Sequence, residues 1–128
     1  MSERWLGMTA AALGRGIGAG AIDPRALADA FLAAIEAHPD GPRIYARTTP
    51  LRARAEADAA AARARAGRRL GPLDGVPVSW KDNVDTAGIA TEAGSALLAG
   101  RVPDRDATVL ANATRAGLVC LGKTHLTE

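Results

Sequence analysis

The sequence has few aromatic residues and a single cysteine. Aromatic side chains make up 3% of the 128 residues, so a core must be built mainly from Ala, Leu and Val, which bury less area per residue. Because Cys120 is the only cysteine, an internal disulfide is excluded. Its apolar neighbours predict a buried thiol of low reactivity. The lack of a disulfide framework favours a cytoplasmic location.

Long apolar segments and a secretory leader are also missing. No run of about 18 apolar residues is present, so we expect no membrane span. The first 21 residues are interrupted by glycine and lack the regions of a signal peptide. The two histidines, His38 and His125, do not stand at the spacing of metal ligands, and we expect neither a metal nor a cofactor.

The charge pattern argues against a nucleic-acid site. The formal net charge is +2, and most arginines are scattered among acidic residues. The one basic cluster, Arg63 to Arg69, has no aromatic residue near it, which predicts a solvated helix face rather than direct binding of nucleic acid.

The first half of the chain predicts helices. Asp23-Pro24 is typical of a helix start, with a capping carboxylate before proline, and nine of the fourteen residues from Ala53 to Ala66 are alanine, which favours helix. We expect helices over 2–19, 24–38 and 50–66, with a short strand at 44–47.

From Leu70 onward the sequence predicts alternating strands and helices. Strands are expected at 76–80 and 118–121, joined by a helix over 107–116 that Asp106 would cap. The order strand, helix, strand predicts an α/β fold with parallel strands. Four aspartates are interpreted as turn and cap residues: Asp82, Asp85, Asp104 and Asp106.

The apolar run at 118–121 indicates a strand that is buried on both faces. Such a strand needs neighbours and cover that two or three short strands cannot supply. We therefore expect an N-terminal piece of a larger protein, truncated at its C-terminus, with a helical lead-in over 1–69 and the start of a catalytic α/β core over 70–128.

Lys81 is the best candidate for chemistry. It closes the predicted strand at 76–80, and in α/β sheets ligand sites lie beyond the carboxyl ends of strands. Apolar flanking residues predict partial desolvation, which favours the neutral amine that a base requires. Two other roles stay open, a lysine at the surface or a buried one paired with Asp82 or Asp85. Ser79 shares its strand face and forms a weak Ser-x-Lys signal; its hydroxyl is expected to bond the backbone.

A second lysine lies in a misleading motif. Gly117 to Thr124 matches the pattern G-x-x-x-x-G-K-[ST] of phosphate-binding loops. The four inner residues are Leu, Val, Cys and Leu, and a predicted helix precedes the segment, whereas a true loop follows a strand. We interpret this segment as a strand and reject nucleotide binding.

Several segments carry a family resemblance. The stretch from Gly71 to Asn83, GPLDGVPVSWKDN, is similar to the lysine-bearing motif of the amidase-signature family. The segments TEAGS at 91–95, DRDATV at 104–109 and GKT at 122–124 resemble those that follow it in that family. The resemblance implies the N-terminal part of the amidase-signature fold, in which a helical lead-in precedes βαβ strands of a mixed central sheet flanked by helices.

The resemblance also implies a mechanism and a role for each lysine. The family cleaves amides with a Ser–cis-Ser–Lys triad, in which Lys81 would be the lysine, whereas Lys123 would be a structural residue at a strand end. The only serines here are Ser2, Ser79 and Ser95, and none lies in the Gly/Ser-rich loop of the family. The 128-residue chain alone should therefore be inactive.

Three functions remain. The first is hydrolysis of a small carboxamide, which Trp80 and the loop at 86–89 favour. The alternative is the A subunit of a glutamine-dependent tRNA amidotransferase, with other subunits as partners; a homodimer is also possible. The most remote is a helical interaction module without catalysis, formed by residues 1–67.

Overall fold

The computed structural model of the chain describes residues 2–127. Helices dominate the first half, and strands alternate with a helix in the second, which confirms the predicted α/β class. No helix in the described part combines the length and apolar character needed to cross a bilayer. The helices are α1 (Ser2–Leu6), α2 (Ala10–Gly18), α3 (Pro24–Ala37), α4 (Gly41–Ile44), α5 (Pro50–Arg65) and α6 (Thr108–Arg115), with a 3₁₀-helix at Ala96–Leu98; the strands are β1 (Tyr45–Thr48), β2 (Pro77–Lys81) and β3 (Val119–Thr124).

The three strands form one mixed sheet in the order β1-β3-β2. β2 runs parallel to β3, with Pro77 opposite Val119 and Lys81 opposite Thr124, while β1 runs antiparallel to β3. The predicted parallel pair joined by a helix is thus confirmed. β3 extends to Thr124, beyond the predicted end at residue 121, so the segment that matches the phosphate-loop pattern is a strand.

The two long helices begin and end close to where the sequence predicted. Asp23 caps α3, because its carboxylate accepts a hydrogen bond of 3.0 Å from the Ala26 N–H, and Pro24 occupies the first turn, where its missing N–H is not needed. α5 spans the alanine-rich segment from Pro50 to Arg65.

The predicted single helix over 2–19 is wrong, because it breaks between α1 and α2. Thr9 accepts a hydrogen bond of 3.1 Å from the Ala12 N–H and so starts a new helix. A threonine that caps a helix uses its extended backbone to do so, and this interrupts the helical periodicity on which the prediction depended.

The predicted cap of α6 is also wrong. The N-cap residue is Ala107, with no side-chain hydrogen bond. The Asp106 carboxylate instead accepts two hydrogen bonds from Arg52, of 2.8 and 2.9 Å, and one of 2.8 Å from the Ala87 N–H. Asp106 therefore ties α5 to the segment before α6.

The main core lies between the helices of the first half and β3. Small alanines on α5 allow this helix to approach the strand closely. The buried cluster comprises Ala28, Leu32, Ala53, Ala57, Val119 and Leu121. α3 and α5 therefore pack against β3 within the chain, and the separate interaction module stays a prediction. The division into 1–69 and 70–128 stays a prediction.

The start of β2 is fixed by a buried aspartate. Arg63 donates two hydrogen bonds, of 2.8 and 2.7 Å, to the Asp74 carboxylate, and Arg69 donates one of 3.2 Å to its carbonyl. A Cβ at Gly117, which has a φ of +91°, would collide with this carboxylate, so only glycine fits there. The sequence predicted that the arginine cluster forms a solvated helix face. This is only partly correct, because Arg63 and Arg69 hold the loop before β2.

Candidate functional site

Lys81 lies at the carboxyl end of β2, opposite Thr124 of β3. Its carbonyl accepts a hydrogen bond of 3.0 Å from the Val84 N–H, which closes the turn after the strand. The side chain is exposed, so the predicted partial desolvation is wrong within this chain. Among residues 2–127 no carboxylate forms an ion pair with it, and the suggested pairs with Asp82 and Asp85 are absent there.

Lys123, one position earlier on the neighbouring strand, is instead fully buried. Its Nζ donates hydrogen bonds to the Val84 carbonyl at 2.8 Å and to Thr91 Oγ1 at 3.1 Å, and it lies 3.5 Å from the Asp82 carboxylate. Burial lowers the pKa of Lys123, and the Asp82 carboxylate opposes that shift. These contacts fit the structural role that the family resemblance implied for Lys123.

Asp82 is an ion-pair residue as well as a turn residue, which the sequence interpretation missed. Its carboxylate is buried, accepts a hydrogen bond from Arg47 and lies beside Lys123. Arg47 also donates to the Ala90 carbonyl at 2.7 Å and pairs with Glu92 at 3.1 Å. An unpaired carboxylate would not be stable at this depth. We call Arg47, Asp82, Glu92 and Lys123 the strand-end network.

The sequence contained only a weak signal for this network. Arg47 lies in a predicted strand, where a charged residue with no partner nearby in the sequence is unexpected. Its partners Asp82 and Glu92 lie 35 and 45 positions away along the chain, and no local pattern relates residues at such a distance.

Ser79 does not have a free hydroxyl. It lies opposite Gly122, and its Oγ shares a hydrogen bond of 2.5 Å with the Tyr45 hydroxyl. The expected bond to the backbone is therefore wrong. Tyr45 crosses β3 to reach Ser79, and a Cβ at Gly122 would lie 3.1 Å from the Tyr45 ring and 2.7 Å from the Arg47 carbonyl, which explains the glycine.

The other candidate residues have structural contacts. The pKa of Asp85 is lowered by its hydrogen bonds to Arg101, whereas burial raises the pKa of the Cys120 thiol, as predicted for an inert cysteine. His38 ends α3, and His125 Nε2 lies 3.0 Å from the Pro42 carbonyl. Within residues 2–127 no group of three or more His, Cys, Asp or Glu side chains is placed to hold a metal ion.

A cavity of about 370 Å³ lies beside the strand-end network. Its wall combines charged network residues with a small, glycine-containing loop. The lining includes Arg47, Asp82, Glu92, Gly94, Ser95 and His125. Ala93, next to this loop, has a φ of +51°, which is unfavourable for a residue with a Cβ.

The sequence is similar to those of curated amidotransferase subunits. It is 42% identical over 109 residues to the A subunit of glutamyl-tRNA(Gln) amidotransferase from Rhodospirillum rubrum, a match that covers 85% of this chain and 21% of the relative. The corresponding protein of Chloroflexus aurantiacus is 41% identical over 121 residues, and the match covers 94% of this chain and 25% of that relative. The chain therefore spans about a fifth to a quarter of the length of these relatives.

The fold is similar to that of solved amidases. The peptide amidase PAM in complex with the competitive inhibitor chymostatin superposes with a TM-score of 0.89 at 37% identity, over 98% of this chain and 26% of that one. Native peptide amidase from Stenotrophomonas maltophilia superposes with a TM-score of 0.87 at 38% identity, and the match covers 95% of this chain and 25% of that one. A fatty acid amide hydrolase, at 18% identity and a TM-score of 0.84, shares the fold.

The family is decided by a match over most of the chain. A family model described as Amidase matches residues 26–128, a range that includes the lysine-bearing motif, all three strands and the strand-end network. Together with relatives above 40% identity, this match shows that the chain belongs to the amidase family.

Proposed function

We propose that the full-length protein cleaves the C–N bond of a carboxamide and that Lys81 is its general base. One contrast carries the proposal: of the two lysines, Lys123 uses its ammonium group in buried contacts, whereas Lys81 has no side-chain partner among residues 2–127. Lys81 therefore remains available for groups contributed by the rest of an amidase. Its place at the carboxyl end of a strand, where α/β enzymes bind their ligands, supports this.

The proposed chemistry follows the triad of the family. A nucleophilic serine attacks the amide carbonyl carbon and forms a C–O bond, while its proton passes through a bridging serine to the neutral amine of Lys81. When the tetrahedral intermediate collapses, the C–N bond breaks and the proton returns to the leaving amine. Water then hydrolyses the acyl-serine. Arginine could not replace Lys81, because a guanidinium does not lose its proton at neutral pH.

The proposal is tested in the full-length protein with Lys81→Ala and Lys81→Arg, by measuring ammonia release from a simple carboxamide and a peptide amide. General acid–base catalysis contributes roughly 10²- to 10⁴-fold, so both variants should lose at least about a hundredfold in kcat. Arg105→Ala serves as a control, because this side chain is 89% exposed. Near-normal turnover by either lysine variant would rule out Lys81 as the base.

We infer that the 128 residues alone are inactive. The serines within them are Ser2, Ser79 and Ser95, and Ser79 shares its hydrogen bond with Tyr45. Incubating the isolated chain with an activated amide and following acylation by mass spectrometry tests this inference. Stable acylation of Ser79 would contradict it and would make Ser79 the nucleophile.

A second candidate function is that of an ammonia-releasing component in a glutamine-dependent amidotransferase. The curated relatives with such a name, at about 40% identity, support it. This component would release ammonia from glutamine and pass it to a partner protein. The two functions separate in one experiment: turnover of a peptide amide by the purified protein favours the hydrolase, whereas glutaminase activity that requires co-expressed partners and tRNA favours the amidotransferase. The predicted homodimer stays a prediction.

A further inference from the structure

We propose that Asp82 is a positioning residue for Lys81 and that it acts through its buried contacts with Arg47 and Lys123. This inference rests on the catalytic role proposed for Lys81. No step of the proposed amide chemistry involves these three side chains directly. Arg47 and Lys123 nevertheless contact the carboxylate of Asp82, which is the residue that follows the proposed base at the carboxyl end of β2.

Three hydrogen bonds fix the backbone that follows Lys81, at the peptide between Lys81 and Asp82 and at the next peptide. The Asp82 N–H donates to the Thr124 carbonyl at 2.9 Å, and the Asp82 carbonyl accepts from the Ala93 N–H at 2.9 Å. The Lys81 carbonyl accepts from the Val84 N–H at 3.0 Å. Because the side chain of Lys81 has no partner within residues 2–127, the only fixed element in the described part of the protein is this backbone, which sets the direction of the Cα–Cβ bond of Lys81.

The Asp82 side chain holds the same backbone from the buried side. Oδ1 accepts a hydrogen bond from Arg47 and lies 3.5 Å from Lys123 Nζ, while Oδ2 accepts one of 3.3 Å from the Glu92 N–H. Asp82 is only 3% exposed. A carboxylate with partners on three sides cannot shift without leaving a buried charge uncompensated.

Lys123 reaches Lys81 by a second route. Its Nζ donates to the Val84 carbonyl at 2.8 Å, and the Val84 N–H donates to the Lys81 carbonyl. Lys123 therefore holds the turn that ends β2 as well as the carboxylate that follows Lys81. Since both routes end at Lys81, weakening the network should displace the amine.

A small displacement has a large effect on catalysis. A misplacement of about 1 Å can reduce a rate by roughly 10²-fold. Asp82→Asn keeps the shape of the side chain but removes the charge that compensates Lys123. The substitution should therefore reduce turnover while the substrate-binding groups outside the network are unaffected.

Asp74 offers a matched control at the opposite end of β2. It is 1% exposed, is held by two hydrogen bonds from Arg63 and accepts one of 2.9 Å from the Leu70 N–H. The two aspartates thus resemble each other in burial and in their arginine partner. They differ in that Asp74 precedes the strand and Asp82 follows Lys81.

The experiment compares Asp82→Asn, Asp74→Asn and Lys81→Ala in the full-length protein, well below each unfolding midpoint. We expect both asparagine variants to lower Tm. Only Asp82→Asn should lower kcat, by about tenfold to a hundredfold, with KM nearly unchanged. Equal losses of kcat in the two variants, or an unchanged kcat in Asp82→Asn, would overturn the inference.

A double variant separates positioning from stability. Adding Lys123→Met to Asp82→Asn removes the uncompensated ammonium, so Tm should recover while kcat stays low. Recovery of kcat together with Tm would overturn the inference. If Asp82→Asn does not fold, Arg47→Gln replaces it in the comparison, because Arg47 is 25% exposed, and the same selective loss of kcat is expected. Failure of the proposed function is distinguishable, because Lys81→Ala would then remain active.

Discussion

The two lysines of the chain lie side by side in the sheet and have opposite environments. Trp80 is opposite Lys123, and Lys81 is opposite Thr124, so the two lysines differ by one position in register. Lys123 is fully buried with three oxygen partners, whereas Lys81 is exposed. The lysine proposed as the general base is therefore the exposed one of the two.

The difference arises from the segment that follows β2. Residues 82–91 fold back over the end of β3, and both Val84 and Thr91 contact the Lys123 ammonium. Nothing in the described residues covers Lys81 in the same way. Each of the two neighbouring strands places a lysine near its carboxyl end. This one loop covers Lys123 and leaves Lys81 exposed to solvent.

The sharpest way to break this comparison is to remove each lysine. Lys123→Ala removes one of the two cations at the Asp82 carboxylate and opens a cavity, so the free energy of unfolding should fall by about 3–5 kcal/mol. Lys81→Ala should change it by less than about 0.5 kcal/mol, as is usual for an exposed side chain. Chemical denaturation of the full-length variants measures both values, and similar losses would contradict the comparison.

A smaller effect is expected when each lysine loses a neighbouring threonine hydroxyl. Thr91→Val removes an acceptor of Lys123 Nζ, and an unsatisfied buried donor costs about 1–3 kcal/mol. Thr124→Val, opposite Lys81, should cost less than about 0.5 kcal/mol, because the Thr124 hydroxyl has only a contact of 3.5 Å to the Trp80 carbonyl. Urea midpoints distinguish the two, and an equal or larger loss for Thr124→Val would be evidence against the buried role of Lys123.

The pH dependence of stability should differ between the parent protein and Lys123→Met. Burial lowers the pKa of Lys123 in the folded state, whereas an unfolded lysine titrates near ~10.4. Between these two pKa values the unfolded state binds more protons than the folded state. The contribution of Lys123 to the free energy of unfolding therefore increases as the pH rises toward the pKa of the unfolded lysine. The stability of the parent relative to Lys123→Met should therefore increase with pH in that window.

The control for this measurement is internal to the comparison. The pKa of Cys120 is raised by burial, so this thiol decreases stability as the pH rises above its unfolded value. Both proteins contain Cys120, and its contribution largely cancels in the difference. A difference in urea midpoint that stays constant across the alkaline range would contradict the shifted pKa of Lys123.

The smallest effect concerns the loop that holds Asp82. Ala93 donates to the Asp82 carbonyl with a φ of +51°, and Ala93→Gly should increase the free energy of unfolding by about 0.5–1 kcal/mol by relieving this conformation. Ala66→Gly is the matched control, because its φ of −84° is ordinary, and it should decrease stability by a similar amount. Destabilisation by both glycines would contradict the strain at Ala93.

Much of the fold could be predicted because its signals are local. The cap at Asp23, the proline at position 24 and the alanine-rich segment of α5 act within a few residues of one helix. The strand, helix, strand order of the second half was predictable for the same reason. The break at Thr9 and the partner of Asp106 were missed. Thr9 caps a helix within a segment whose apolar spacing is helical throughout, and Asp106 bonds Arg52, which lies 54 positions away.

The candidate site was predictable only in part. The motif around Lys81 identified the family and the residue proposed for catalysis, because the motif is a continuous stretch of sequence. The strand-end network was not predictable. Arg47, Asp82 and Lys123 come from three different parts of the chain, and their charges compensate each other only after β1, β2 and β3 have paired.

The family, the long helices and the order of the two parallel strands could be read from the sequence alone, since these follow from short-range patterns and a contiguous motif. Which lysine is buried, which arginine pairs with each aspartate and where the Ser79 hydroxyl bonds became clear from the folded chain. Desolvation and charge compensation depend on the segments that cover a residue in the folded chain, and these segments are distant from it in the sequence.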